Sequence, residues 1–182
     1  LMTLDMIVRP GLEGVIALDT RLSHIDGLAG ELTIAGYPLE EIAGYATFEE
    51  MVYLLWHDQL PTEGELSIFR DNLAQKRMVS APTLNILKAS AEKRLPMMDA
   101  LRIAASTLSL YTESDNPTEG AEVVVATFPT IISAYWRMLE GHDPIEPRTD
   151  LSHAANYLYM LTGETPSAER TRALNTYLNT VI

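Results

Sequence analysis

The stretch at residues 150–166, DLSHAANYLYMLTGETP, decides how the whole chain is interpreted. Apolar residues recur at helical spacing along one face of this stretch, namely Leu151, Ala154, Ala155, Leu158 and Leu161. The opposite face carries His153, Asn156, Tyr157 and Met160 and is also largely apolar. A helix that is apolar on several sides must be covered on several sides. The stretch therefore predicts a core helix of an α-helical protein.

The same stretch raises the question of catalysis, because Ser152 and His153 are neighbours in it. A catalytic serine and histidine must lie within hydrogen-bonding distance, with a third group orienting the imidazole. Adjacent residues on a helix point about 100° apart, so these two side chains cannot pair directly. We expect His153 to be a structural histidine of the core, with contact to a ligand as the alternative.

Working outward, local signals predict further helices. Residues 47–50 (TFEE) and 62–65 (TEGE) are capping boxes, and Pro38, Pro82 and Pro96 stand at predicted helix starts. Helices are predicted over residues 96–111 and 119–140, the second with a kink at Pro129. Near the N-terminus, residues 15–25 and the segment ELTIAGY predict two short strands around an Asp26-Gly27 turn. The predicted fold class is mainly α, with a small N-terminal β-hairpin.

Composition excludes several classes of function. The chain has 182 residues, enough for one domain, and a formal net charge of −12 with no basic stripe, which argues against nucleic-acid binding. It has no cysteine, which excludes disulfides and thiolate chemistry and fits a cytoplasmic location. The longest apolar run, residues 123–138, contains Pro129 and Arg137 and is shorter than the roughly 20 residues of a membrane span. We expect no membrane partner.

The remaining candidate groups form no recognisable site. His24, His57 and His142 are isolated from one another, and no histidine–carboxylate cluster has metal-ligand spacing. The carboxylate pairs Glu40-Glu41 and Glu49-Glu50 fall in first turns of predicted helices, where compensation of the helix dipole explains them. We therefore expect no catalytic, cofactor-binding or metal-binding residue in this chain.

Two long segments nevertheless resemble a known family. RPGLEGVIALDTRLSHIDGLAGELTIAGYPLEEIAGYATFEEMVYLLWHDQLPT (residues 9–62) and PRTDLSHAANYLYMLTGETPSAERTRALNTYLNTVI (residues 147–182) are similar to the N-terminal region of bacterial citrate synthases. The resemblance runs from Arg9 to Ile182. It implies that residues 1–182 are part of the multi-helical large domain, and that the segment LSHAANYLYMLTG is one of its structural helices. It also implies that the small domain and the catalytic histidine motifs lie beyond this chain.

The resemblance also implies a reaction and partners for the parent enzyme, which would condense acetyl-CoA with oxaloacetate. The alternatives are a 2-methylcitrate synthase, or a non-catalytic helical dimerisation module that reuses the fold. It further implies a homodimer through helices 96–111 and 119–140, with close approach at Ala104, Ala105 and Ala134. The last helix carries no stop signal, so we expect the parent chain to continue past Ile182. The short acidic loop at residues 112–121 departs from the longer lead-in typical of the family.

Overall fold

The computed structural model describes residues 11, 16, 18–110 and 116–182, which form a mainly helical fold with one small sheet. The strands are β1 (Ser23–Asp26), β2 (Glu31–Ile34) and β3 (Tyr37–Pro38). The helices are α1 (Leu39–Ile42), α2 (Phe48–His57), α3 (Glu63–Gln75), α4 (Ala81–Glu92), α5 (Met97–Ala105), α6 (Pro117–Leu139), α7 (His153–Thr162) and α8 (Ala168–Val181). A short 3-10 helix, Leu108–Leu110, follows α5. The predicted fold class is confirmed.

The sheet is antiparallel in the order β1-β2-β3. Asp26 makes the predicted turn, because its Oδ1 atom accepts from the amides of Leu28 and Ala29, each at 2.9 Å. The hairpin is confirmed, but β1 begins at Ser23, later than the predicted strand at residues 15–25, of which residues 15 and 17 lie outside the described part. The third strand was not predicted. Pro38 ends that strand and is the N-cap of α1, so its prediction as a first helical residue was wrong by one position.

Both predicted capping boxes are present and begin the helices α2 and α3. The amide of Thr47 donates to Glu50 Oε2 at 2.7 Å, and the amide of Thr62 donates to Glu65 Oε2 at 2.8 Å. These reciprocal bonds satisfy amides that would lack partners at a helix start. The two helices then pack through a core cluster of Val52, Tyr53, Phe69, Leu73 and Ala126.

Helices α4, α5 and α6 share the other large core cluster, formed by Leu87, Ala100, Ala104, Leu108, Ile131, Ala134 and Tyr135. The predicted helix at residues 96–111 is shorter than expected, because α5 ends at Ala105. Just beyond it, Thr107 Oγ1 binds the Ala104 carbonyl and Thr83 Oγ1, each at 2.7 Å. Such side-chain bonds compete with helix continuation. Residues 111–115, which include part of the acidic loop, lie outside the described residues.

The central helix α6 runs without interruption through Pro129. It begins two residues before the predicted boundary, because Asn116 Oδ1 accepts from the Thr118 amide at 3.0 Å and caps it. The predicted kink at Pro129 stays a prediction. The helix contacts α3, α4, α5 and α7, which accounts for the apolar character of most of its surface.

The predicted role of two alanines at a dimer interface was wrong. Ala104 and Ala134 are 0% and 3% exposed, and both pack inside this one chain between α5 and α6. They allow close approach of helices within the subunit, so neither offers surface to a second copy. Ala105 is partly exposed.

Helices α7 and α8 pack against each other and against α2. Asn179 Nδ2 of α8 donates to the carbonyls of Ala43 and Ala46, at 3.3 and 2.7 Å. Asn175 Oδ1 accepts from the Phe48 amide at 3.3 Å. These bonds satisfy backbone groups where α1 ends and α2 begins. Among the described residues, no helix is long and apolar enough to cross a membrane.

Candidate functional site

The four histidines lie in four separate places. His24 is on the exposed strand β1, His57 is at the exposed end of α2, and His142 is in an exposed loop. His153 alone among them is buried, with 4% of its surface exposed. No group of three or more potential metal ligands occurs in the described ranges. His153 and its surroundings are therefore the feature that requires a functional or structural explanation.

His153 is the first residue of α7, and Ser152 is the cap before it. The Ser152 hydroxyl accepts from the Ala155 amide at 3.4 Å, so it serves the helix start and not the imidazole. The His153 ring stacks on Phe48, with 4.6 Å between ring centroids. The Ser152 hydroxyl is thus engaged with the backbone of α7, and the absence of a catalytic role for this pair stays a prediction.

Glu49 supplies a second cap to the same helix from a distant part of the chain. The His153 amide donates to Glu49 Oε1 at 2.8 Å, and Glu49 is only 1% exposed. The interpretation of Glu49 as simple dipole compensation within its own helix was therefore incomplete. Its carboxylate lies at the first turn of α2 and also at the first amide of α7, so it opposes the positive ends of both helices.

Arg77, just after the end of α3, holds the segment that leads into α7. Its side chain is 2% exposed, and Nη1 donates to the carbonyls of Arg148 and Leu151 at 2.6 and 2.8 Å. Thr130 of α6 donates to the Arg77 carbonyl at 2.8 Å. Burial lowers the pKa of Arg77, while the nearby carboxylates of Glu49 and Asp150 act in the opposite direction. A guanidinium stays protonated in proteins, so Arg77 is a buried cation.

Asn156 completes this arrangement one turn into α7. Its Oδ1 atom accepts from the Arg148 amide at 2.8 Å. Arg148 in turn donates from Nε to Asp150 Oδ1 at 2.9 Å, and this hydrogen bond holds the pKa of Asp150 below its usual range. We call Glu49, Arg77, His153 and Asn156 the buried polar cluster. It fixes the segment at residues 148–153 to α2, α3 and α6.

The chemistry of the buried polar cluster is that of a structural element. Burial lowers the pKa of His153 from 6.5 to about 3, and the positive charge of Arg77 adds to this effect. A general base works best when its pKa lies near the working pH, so His153 is poorly suited to proton transfer near neutrality. Glu49 Oε1, Arg77 Nη1 and Asn156 Oδ1 are all engaged with backbone groups.

Sequence reasoning missed Arg77 and the long-range role of Glu49. In the sequence, Arg77 continues at helical spacing the apolar stripe that contains Phe69 and Leu73, and a cation on such a stripe is a sign of a buried polar contact. The partner of that contact could not be identified, because it lies 71 to 74 residues further along the chain.

One open cleft of about 570 Å³ lies between α4 and the end of α6. Its wall carries the cations Lys88 and Arg94 and the anions Glu92 and Asp143. These charges balance, and the four side chains are not buried. The net charge of these four side chains therefore favours neither an anionic nor a cationic ligand.

Comparison with known proteins identifies relatives of this chain. A sequence profile described as "Citrate synthase, C-terminal domain" matches residues 11–182. The citrate synthase of Haloferax volcanii is 41% identical over 169 residues, which cover 88% of this chain and 45% of that protein. The citrate/2-methylcitrate synthase of Bacillus subtilis is 33% identical and covers 87% of this chain and 44% of that protein.

The fold is similar to that of a solved citrate synthase. The crystal structure of citrate synthase from Pyrobaculum aerophilum superimposes with a TM-score of 0.82 at 33% identity, over 93% of this chain and 46% of that chain. The chain thus spans about half the length of the relatives it matches. Profile, sequence identity and fold all agree, and the chain belongs to the citrate synthase family.

Proposed function

We propose that this chain forms part of the large domain of a citrate synthase, at the N-terminal side of the parent enzyme, and that its own role is structural. The observation that carries the proposal is the buried polar cluster, whose charged groups hold backbone segments and not an open site. The matching profile is described as a C-terminal domain, whereas residues 9–62 and 147–182 resemble N-terminal segments. The position within the parent enzyme is therefore part of the proposal.

The parent enzyme would convert acetyl-CoA, oxaloacetate and water into citrate and CoA. A carboxylate base removes a proton from the acetyl methyl group, the enol adds to the ketone carbon, and water then cleaves the thioester. Histidine donors stabilise the oxyanion that develops as the proton leaves. None of the four histidines here lies in a group that fits this task, so we assign no catalytic residue to the chain. A cytoplasmic location of the parent also remains part of the proposal.

Acetyl-CoA and propionyl-CoA are the two candidate acyl substrates of the parent enzyme. Acetyl-CoA is favoured by the 41% identity to the Haloferax volcanii citrate synthase, against 33% for the Bacillus subtilis protein named for both activities. The rates of the parent enzyme with acetyl-CoA and propionyl-CoA separate citrate synthase from 2-methylcitrate synthase. Absence of the family's histidine motifs from the downstream sequence of the parent gene would favour the non-catalytic dimerisation module.

The first prediction is that the isolated chain has no synthase activity. Positioning of base, oxyanion donors and substrate supplies most of the acceleration in such a reaction, and we expect all three to be absent. Incubation of the purified 182-residue chain with acetyl-CoA and oxaloacetate should release free CoA only at the background rate, while a full-length citrate synthase serves as the positive control. Turnover above background that disappears in a His153→Ala variant would contradict both the structural role of His153 and the absence of catalytic residues.

The second prediction is that the chain forms a homodimer through α5 and α6. These helices leave the apolar side chains of Met98, Ile103 and Trp136 exposed by 70%, 40% and 46%, even though Ala104 and Ala134 are buried within the chain. Exposed apolar surface of this kind favours association, and a two-fold dimer is the commonest way to cover it. Analytical ultracentrifugation at micromolar concentration should detect a dimer.

A pair of variants tests where that dimer forms. Ile103→Glu places a charge on α5 and should shift the sedimenting species toward the monomer. Ile68→Glu places the same charge on α3, at a side chain that is 65% exposed, and should leave the dimer intact. A stable monomer for the unmodified chain, or equal effects of the two variants, would argue against an interface at α5 and α6.

A further inference from the structure

Three atoms of the buried polar cluster lack hydrogen-bond partners among the described residues. They are Glu49 Oε2, Arg77 Nε and His153 Nδ1. The three residues are 1%, 2% and 4% exposed, so bulk water does not solvate these atoms. Leaving a buried polar atom unpaired is costly, and more so when the group is charged. Three such atoms in one cluster require a common explanation.

The three atoms belong to side chains that meet at the start of α7. Glu49 Oε1 is 2.8 Å from the His153 amide, and Oε2 is the other oxygen of the same carboxylate. Arg77 is anchored on the Leu151 carbonyl at 2.8 Å, two residues before His153. The Glu49 carboxylate acts on Arg77, and the charge of Arg77 acts on His153. The three side chains therefore lie next to one another where α2, the end of α3 and the start of α7 meet.

Direct pairing between these side chains does not occur. Within the described residues, no nitrogen of Arg77 or of the His153 ring lies within 4.0 Å of a Glu49 carboxylate oxygen. This separation exceeds the usual hydrogen-bond distance of about 2.7–3.2 Å. The three unpaired atoms therefore do not satisfy one another directly.

We propose that one internal water molecule bridges Glu49 Oε2, Arg77 Nε and His153 Nδ1. Arg77 Nε can only donate, and an ionised Glu49 oxygen can only accept, whereas water does both. The water accepts from Arg77 and donates to Glu49, and a third hydrogen bond joins it to His153 Nδ1. Three hydrogen bonds are typical of a buried water that satisfies polar groups.

The charges of the site select a neutral occupant. A cation would meet the buried guanidinium of Arg77, and an anion would meet the carboxylate of Glu49. Water combines neutrality, small size and both hydrogen-bonding roles. This water is an integral link between α2, α3 and α7, and it completes the support of the helix start that Glu49 caps.

A crystal structure of the full 182-residue chain at neutral pH tests the proposal directly. We expect an electron-density peak about 2.7–3.2 Å from all three atoms. Oxygen-17 relaxation dispersion on the same protein should detect at least one long-lived internal water. Direct contact of Glu49 Oε2 with Arg77 Nε or His153 Nδ1, an absent density peak, or a dispersion profile without a long-lived water would each overturn the proposal. Because both measurements use the unaltered chain, loss of folding in a variant cannot obscure the outcome.

Discussion

Replacing Arg77 with methionine should lower the free energy of unfolding by about 3–6 kcal/mol, because two hydrogen bonds from a charged donor are lost, each contributing about 1.5–3 kcal/mol. The guanidinium is 2% exposed and satisfies two backbone carbonyls, those of Arg148 and Leu151. Methionine fills similar space but donates no hydrogen bond, so both carbonyls lose a partner. It also removes the buried positive charge on which the Glu49 carboxylate acts. Urea unfolding followed by circular dichroism measures the loss.

Two comparisons show whether burial causes this effect. Arg102→Met removes an arginine whose side chain is 76% exposed and pairs with Asp99 only three residues away, so it should cost no more than about 1 kcal/mol. In the double variant Arg77→Met/Glu49→Gln, the loss should be smaller than the sum of the two single losses, because the unpaired carboxylate is gone. Equal losses for Arg77→Met and Arg102→Met would mean that the buried polar cluster contributes little to stability.

The features that could be predicted from the sequence are those decided by neighbouring residues. The capping boxes at Thr47 and Thr62 depend on a carboxylate three residues away, and both are present as predicted. The core position of α7 follows from its two apolar faces. The extent of α5 could not be predicted, because Thr107, which binds the Ala104 carbonyl beyond the helix end, also pairs with Thr83 from α4.

The buried polar cluster could not be assembled from the sequence because its bonds join distant segments. Glu49 and His153 are 104 residues apart, and no local pattern shows that a first-turn glutamate caps another helix. For the same reason, the interpretation of the Glu49-Glu50 pair as dipole compensation in its own helix was incomplete. Glu50 completes the capping box of its own helix, while Glu49 turns inward to the start of α7.

Lowering the pH from 7.5 to 5 should destabilise the chain by about 2 kcal/mol through His153 alone. The imidazole is buried against Phe48 at the positive end of α7, and Arg77 adds a positive charge, so protonation in the folded state is disfavoured and the pKa falls from 6.5 to about 3. In the unfolded chain the imidazole takes up a proton near its ordinary pKa. Between these two pKa values the unfolded state binds more protons, so the contribution of His153 is complete above pH 6.5 and is lost progressively toward pH 3.

The test compares pH dependence and not absolute stability. His153→Phe keeps an aromatic ring next to Phe48 but cannot be protonated, so its free energy of unfolding should fall by about 2 kcal/mol less than that of the unaltered chain between pH 7.5 and 5. Ala154→Gly weakens the same helix at a fully buried position without changing a titratable group. It should lower stability equally at both pH values and keep the original pH dependence. If His153→Phe retained that dependence as well, another group would be responsible, and the neutral, buried state of His153 would not be what links stability to pH.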